Sequence, residues 1–321
     1  MKPLISVVIP NWNGRKFLEI CLRSLKKQSL QNFEVLLVDN GSTDDSVPFI
    51  LQFYPEYSVI REPRNAGWGA ASNRGIAASK GEYVLLLNND LELHPDFMKS
   101  ISREIEALQE YSMFATRILA FDDRNLIDSL GEEVRHDWTV TKRRHHLQDT
   151  PEAHAATEVF APSATAGLYR RSLFEDVGFF DEDFFIGYDD PDLHFRSRLQ
   201  GHRCVLVPSA IAYHIGHGTA DFQSDTMRYL MTRNYFYYLI KNVPTFFLFQ
   251  QFFEIIFFHL VWFAKDLFKI VICHQHRHNA NIRVRARVDA LKSIKGLLKK
   301  RAQIQKKRRI SLSYLSSFRT G

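Results

Sequence analysis

Residues 83–95 read YVLLLNNDLELHP. The apolar run Val84 to Leu87 reads as a strand buried on both faces, and it stops abruptly at Asn88, Asn89 and Asp90. In open parallel sheets ligands lie in the crevice beyond the carboxyl ends of the strands, so a core strand delivering three polar side chains there points to a site. The flanking sequence alternates in the matching way. Leu4 to Ile9 is a β-rich run closed by Pro10, Arg15 to Lys27 carries Phe17, Leu18, Cys21, Leu22 and Leu25 at helical spacing, and Phe33 to Val38 is again apolar. A helix is expected from a Ser42 or Thr43 cap to about Tyr54, a short strand at Val59 and Ile60, and an Ala-rich helix from Ala66 to Ser79. The expected fold class is α/β, a parallel sheet with helices on both faces.

The strand ends carry Asn11, Trp12 and Asn13, then Asp39, Asn40 and Gly41, then Arg61, Arg64 and Asn65, then Asn88, Asn89 and Asp90. None of these loops has the GxGxxG pattern, which argues against a dinucleotide site. Oxygen donors converging on one crevice suit Mg²⁺ or Mn²⁺ holding a diphosphate, with Asp90 as a ligand. Asp39, at a strand end, is free to accept bonds from a base or ribose. In FFIGYDDPDLHFRSRLQG, residues 184–201, Asp189, Asp190 and Asp192 precede Leu193, Phe195 and Leu199. Asp190 before Pro191 is expected to cap this helix, but one cap does not need three acids, and a carboxylate at a helix start beside a crevice can act as a general base. His214 or His217 in YHIGHGT could complete the shell around Asp90, with His214 preferred.

From Met113 to Thr219 the pattern loosens to α+β, and the polar stretch Arg135 to Thr157 reads as an exposed or mobile loop. A boundary is placed near residue 221. At 321 residues and 37.4 kDa the chain can hold one large α/β domain and an appendage. Three scattered cysteines, Cys21, Cys204 and Cys273, argue against a disulfide framework or a zinc site, and the start of the sequence lacks a signal-peptide pattern, so a cytoplasmic protein is expected. Many of the 26 Phe fall between Phe236 and Phe268. Val243 to Ala264 approaches the length of a membrane span but contains Gln250, Gln251, Glu254 and His259. Gln250, Gln251 and Glu254, with Lys241 and Lys265, can share a polar face. A helix lying in a membrane interface is preferred, followed by a basic helix from about Val284 to Arg309; a true span, or packing on the preceding domain or a dimer partner, stays open. From Gln275 onward there are fourteen Lys and Arg against Asp289 alone, which implies an anionic partner; no nucleic-acid recognition motif accompanies them.

The segments ISVVIPNWNGRKFLEICLRSL, VLLVDNGSTDDSV, NAGWGAASNRGI, YVLLLNNDLELHPDF, AGLYRRSLFEDVGFFDEDFF and YDDPDLHFRSRLQGHRCVLVPSAIAYHIGHGT together resemble the family 2 inverting glycosyltransferases of GT-A fold. More closely, they are similar to the bacterial rhamnosyltransferase-type members. The resemblance covers residues 4–220 and implies a catalytic domain over residues 1–220, with a nucleotide-sugar half to about 112 and an acceptor half from about 113. Residues 221–321 would be a helical, membrane-associating extension. Asn88-Asn89-Asp90 takes the place of the family's DXD motif, whose last Asp binds the divalent metal. Asp39 matches the carboxylate that reads the base, with Pro10 and Asn11 in the same pocket. Asn65, Gly67 and Asn73 fall in the segment that wraps the nucleotide, and Asn13, Asn88, Asn89 and Gly167 are assigned to the same donor site. The family's Glu-Asp pair falls on Asp189-Asp190, leaving open which of the two takes the acceptor's proton.

The resemblance implies metal-dependent inverting transfer of rhamnose or another hexose. The donor would be a dTDP, UDP or GDP sugar, and the acceptor a polyprenyl-linked or polysaccharide molecule at the inner face of the cell membrane. Homo-oligomers are compatible with it. A non-catalytic nucleotide-sugar-binding protein on the same fold is the alternative; a nucleotidyltransferase would carry a basic, Gly-rich loop after the first strand, which PNWNGRKF does not supply.

Overall fold

The structure, a computed structural model, describes residues 3–216, 224–272 and 277–320. The first half alternates as expected: β1 (Ile5–Asn11), α1 (Arg15–Lys26), β2 (Phe33–Asp39), α2 (Ser46–Phe53), β3 (Ser58–Arg61), α3 (Trp68–Ala78), β4 (Tyr83–Leu87), β5 (Leu91–Leu93) and α4 (Phe97–Ala107). The middle comprises β6 (Met113–Ala120), β7 (Ile127–Ser129), β8 (Glu132–Arg135), β9 (Val140–Lys142), β10 (Glu158–Val159), β11 (Ala166–Arg170), α5 (Arg171–Val177), α6 (Asp189–Leu199) and β12 (Cys204–His214). Then follow α7 (Asp225–Asn242), α8 (Thr245–Gln250), α9 (Phe252–Ile272), α10 (Arg277–Lys292), α11 (Ile294–Lys306), α12 (Leu312–Ser316) and β13 (Arg319–Thr320).

The main sheet runs β10-β12-β6-β11-β4-β1-β2-β3. Strands β4, β1, β2 and β3 are parallel, as are β6 and β12, while β11 is antiparallel to both β4 and β6 and joins the two parallel blocks. One face packs Leu18, Leu22 and Leu25 of α1, Ile50 of α2 and Phe97 and Ile101 of α4. The other packs Ala71 and Ile76 of α3, Leu173 and Phe174 of α5 and Leu193 of α6. Each helix buries one apolar stripe, the arrangement that a strand buried on both faces requires.

Several local expectations are corrected. Helix α2 starts at Ser46, not at Ser42 or Thr43, because Ser42 Oγ accepts from Asn13 N and Thr43 donates to Asn13; Asp44 supplies the carboxylate that accepts from Ser46 N at 3.0 Å. Asp190 does not cap α6. The helix begins two residues earlier, after Tyr188 in the left-handed region at φ 65°, so Asp189, Asp190 and Asp192 all lie in its first turn. Residues 135–157 are not a loose loop: they contain β9, which pairs with β8, and Trp138 is fully buried against Phe195 and Phe247.

The C-terminal helices pack on this layer. Tyr238, Leu239 and Phe247 share a core with Trp138, Phe184, Phe195 and Leu297, and β13 pairs in parallel with β8. Lys241 is not on the polar face expected for the aromatic helix; it is 2 % exposed in α7, between Asp181 and Asp192. Much of the basic run is likewise satisfied internally: Arg283 and Arg287 hold Asp266, Lys300 holds Asp181 and Asp183, and Arg309 holds Asp176. Among the described residues no helix is long and apolar enough to cross a membrane. The boundary expected near residue 221, the alternative ligand His217 and the side chain of Glu254 lie outside the described residues.

Candidate active site

The carboxyl ends of β1 and β2 meet in register, Pro10 beside Val38 and Asn11 beside Asp39. Asn11 is buried, and its Nδ2 donates to Ser42 Oγ at 3.3 Å while its Oδ1 accepts from Asn89 Nδ2 at 2.7 Å. Asn13, left-handed at φ 50°, accepts from Thr43 N at 2.8 Å. Asp39 is buried; Ser42 N donates to its Oδ2 at 3.3 Å, and its Oδ1 has no partner among the described residues. Asn40, in the next position, donates to Asn65 Oδ1 and Gly67 O, both at 3.0 Å, and so ties the loop before α3 to the same rim. Gly67 has φ 99°, and a Cβ there would fall 2.2 Å from Phe185 O, so the 181–188 loop closes directly on this turn.

Strand β4 brings the opening triplet to the rim. Asn88 Oδ1 accepts from Trp68 Nε1 at 3.1 Å, Asn89 is bonded to Asn11, and Asp90 is 3 % exposed with Oδ1 unpartnered. The long strand β12, paired with β5 and β6, ends at His214 and sets its Nε2 3.4 Å from Asp90 Oδ2. On the other side of the ring, His214 Nδ1 lies 3.2 Å from Asp128 Oδ2. Asp128 is in turn held by Lys142 Nζ at 2.9 and 2.7 Å. Burial alone would lower the His214 pKa; hydrogen bonds and charge from Asp128 and Asp90 outweigh it and push the value up to about 9. Burial likewise opposes ionisation of Asp128, but His214 and Lys142 hold it well below the usual carboxylate range.

These residues fit a divalent cation. A buried carboxylate with a free oxygen lies 3.4 Å from an imidazole whose far nitrogen stands 3.2 Å from a second carboxylate, and a cation bound here would take the place of the proton that the two carboxylates favour on the ring. Among the described residues no cluster of three or more acidic, His or Cys side chains forms a closed metal cage. A cation here would therefore take other ligands from what it binds.

The acidic pair stands at the start of α6. Asp189 is buried, with Oδ2 unpartnered and 3.4 Å from where a Cβ on Gly69 of α3 would lie. Asp190 keeps partial solvent access, which Asp189 lacks. Burial first, and then the charge of Asp190 for Asp189 and of Glu132 for Asp190, raise both carboxyls well above their ordinary value. Behind Asp190, buried Glu132 contacts His194 Nδ1 at 2.7 Å, and His194 Nε2 contacts Tyr169 Oη at 2.8 Å. Burial raises Glu132 well above its ordinary value and lowers His194 to about 4.

The other expected residues are accounted for individually. Asn65 is within the rim as described. Asn73 bonds Phe180 through both amide atoms, at 3.0 and 2.9 Å, and Glu182 at 3.1 Å, which commits it to the segment leading into the 181–188 loop. Gly167 sits inside β11, opposite Leu86 of β4. Sequence reading did not find Asp128, Glu132, Trp68 or Ser42. The first two lie in short strands whose alternation is broken by Gly131, and their polarity reads as surface until the sheet order is known.

The model of Glycosyl transferase family 2 matches residues 6–178. An N-acetylglucosaminyl-diphospho-decaprenol L-rhamnosyltransferase of Mycobacterium tuberculosis is 28 % identical over 249 residues, covering 68 % of this chain and 78 % of its own. The uncharacterized glycosyltransferase YwdF of Bacillus subtilis is 27 % identical over 222 residues, covering 68 % of this chain and 77 % of its own. Among solved structures, S. aureus TarS in complex with UDP superposes with a TM-score of 0.56 at 19 % identity, covering 99 % of this chain and 92 % of that one. GalNAc-T7 with UDP, GalNAc and Mn²⁺ gives 0.60 at 16 % identity, covering 75 % and 48 %. The α/β layer with its antiparallel joining strand is a GT-A fold, and the chain belongs to glycosyl transferase family 2.

Proposed function

We propose that this glycosyltransferase moves a hexose, such as rhamnose, from a nucleoside diphosphate to a lipid-linked or polysaccharide acceptor with inversion. Two buried carboxylate oxygens without a partner among the described residues, on Asp39 and Asp90 at the ends of β2 and β4, support this reading, since uncompensated acids at strand ends call for external ligands. Asp39 would accept from the base or ribose. Asp90 and His214 would hold Mg²⁺ or Mn²⁺, which when bound neutralises charge on the departing diphosphate. Asp190, the more open member of the pair, takes the acceptor hydroxyl's proton as its oxygen attacks the anomeric carbon opposite the diphosphate. Asp189, buried and protonated, shapes the pocket beside Gly69. The test is a thermal-shift screen of UDP, dTDP and GDP sugars with and without Mn²⁺. A metal-dependent rise in Tm with one donor is the expected result, and no shift with any of them would remove the donor assignment.

The acceptor class draws on the exterior of the C-terminal helices. Phe246 and Phe249 on α8, and Leu260, Trp262, Leu267 and Phe268 on α9, are exposed large apolar side chains, with exposed Lys265 among them. Such a rank fits the interface of a membrane, where a polyprenyl-linked acceptor would reside at the cytoplasmic face. The relative in Mycobacterium tuberculosis is named for an acceptor of that type.

A further inference from the structure

The 181–188 loop joins two parts of the site, since it closes on Gly67 before α3 and leads directly into Asp189 and Asp190. Its backbone is strained: Phe185, Gly187 and Tyr188 have φ of 67°, 79° and 65°. Non-glycine residues in the left-handed region persist at functional sites only where the surroundings over-determine them. Here the surroundings are largely α7. Asn234 is fully buried, and its Nδ2 donates to Phe184 O at 2.8 Å, Ile186 O at 3.0 Å and Gly187 O at 2.8 Å. Arg233 Nε donates to Asn234 Oδ1 at 2.9 Å, which turns the amide nitrogen toward the loop, and Arg233 Nη2 donates to Asp183 O at 2.7 Å. About two turns further along, buried Lys241 joins the two flanks of the loop, bonding Asp181 before it and Asp192 after it, the latter at 2.7 Å. From the other side Trp68 N donates to Phe185 O at 2.8 Å.

We infer that Asn234, oriented by Arg233 and backed by Lys241, is a positioning residue that sets the Asp189–Asp190 pair against the donor rim through the 181–188 loop. Neither residue touches the rim carboxylates themselves. Asn234 has two hydrogens and three carbonyls within reach, and no other uncharged side chain of its size could donate to all three from this helix position. The inference rests on Asp190 being the base, and the two ideas separate experimentally.

Asn234→Ser and Arg233→Gln are prepared in the full chain beside Asp190→Asn. Hydrogen exchange of a peptide covering residues 182–190, binding of UDP, dTDP or GDP with Mn²⁺, and release of nucleoside diphosphate from the donor found in the screen are measured. A folded Asn234→Ser variant should exchange faster in that peptide alone, lose roughly ten- to a hundredfold in kcat and keep its nucleotide affinity, as expected for misplacement of a reacting group. Arg233→Gln should shift in the same direction by less, and it decides the matter if Asn234→Ser does not fold. Unchanged exchange and kcat in a folded variant overturn the positioning role even if Asp190→Asn is inactive. An active Asp190→Asn overturns the base assignment, whatever the exchange shows.

Discussion

Asp128 Oδ2 lies 3.2 Å from Nδ1 of His214, while the opposite ring nitrogen, Nε2, lies 3.4 Å from Asp90 Oδ2. Carboxylates in this relation to a metal-binding histidine are worth about 10- to 100-fold in metal affinity. Asp128→Asn should weaken Mn²⁺ binding by about that factor, read by calorimetric titration in the presence of a nucleoside diphosphate. An unchanged affinity would remove His214 from the cation site.

Asp90 and Asn88 should separate. Asp90→Ala should abolish the Mn²⁺-dependent part of the thermal shift, because it deletes the buried carboxylate with the free oxygen. Asn88→Ala removes only the acceptor for the Trp68 indole and should weaken donor binding modestly, by about 1 kcal/mol. Equal loss in both variants would mean that the triplet acts as a packing unit.

The acidic pair is resolved by two isosteric substitutions. Asp190→Asn should lower kcat by about 10² to 10⁴, the usual contribution of a general base, while nucleotide affinity stays. Asp189→Asn should be far milder, since burial already keeps that carboxyl neutral. Because the carboxyl of Asp190 is raised, the wild-type rate should fall on the acid side of neutrality as the base becomes protonated. A rate independent of pH through that region would exclude Asp190 as the titrating base.

Glu132 should make stability depend on pH. Unfolded, it ionises near its ordinary value of 4.5; folded, it stays protonated well above that. Between those two values the native state holds the extra proton, so stability falls as pH rises, by about 1.4 kcal/mol per pH unit from this group. Glu132→Gln keeps a donor toward His194 and should show a flatter Tm as pH rises above the ordinary Glu value of 4.5. Parallel curves for both proteins would place an ionised Glu132 in the native state.

The outward aromatic rank should bind lipid. Replacing Phe249 and Phe268 by Ser should reduce co-sedimentation with anionic phospholipid vesicles by about tenfold per site, given about 1.5–3 kcal/mol for burying each ring. Retained binding would assign this surface another partner.

The N-terminal half was legible because β1 to β4 are consecutive, locally patterned strands whose ends carry the candidate site, and a strand such as Tyr83–Leu87 announces both its burial and its terminus. The middle of the chain was not, since β6, β11 and β12 come together from distant parts of the sequence and β12 is interrupted by a register shift between Val207 and Ile211. The cap of α6 was misread for a related reason: Asp190-Pro191 is a sound local start signal, but Asn234, 44 positions after Asp190, supports a left-handed Tyr188 as the cap two residues earlier. Likewise Lys241, Arg283, Arg287 and Lys300 counted as surface charge until their acidic partners were located.

The bonds from α7 and α11 to the 181–188 loop also bear on how the chain matures during synthesis. Asp181 meets Lys241 and Lys300, 60 and 119 positions further along. A nascent chain that has completed its sheet still lacks the donors for the carbonyls of Phe184, Ile186 and Gly187. Folding from the N-terminal side would thus yield a donor-binding layer first and a competent acid pair only after the later helices emerge, so a ribosome-bound intermediate could hold nucleotide without turning it over.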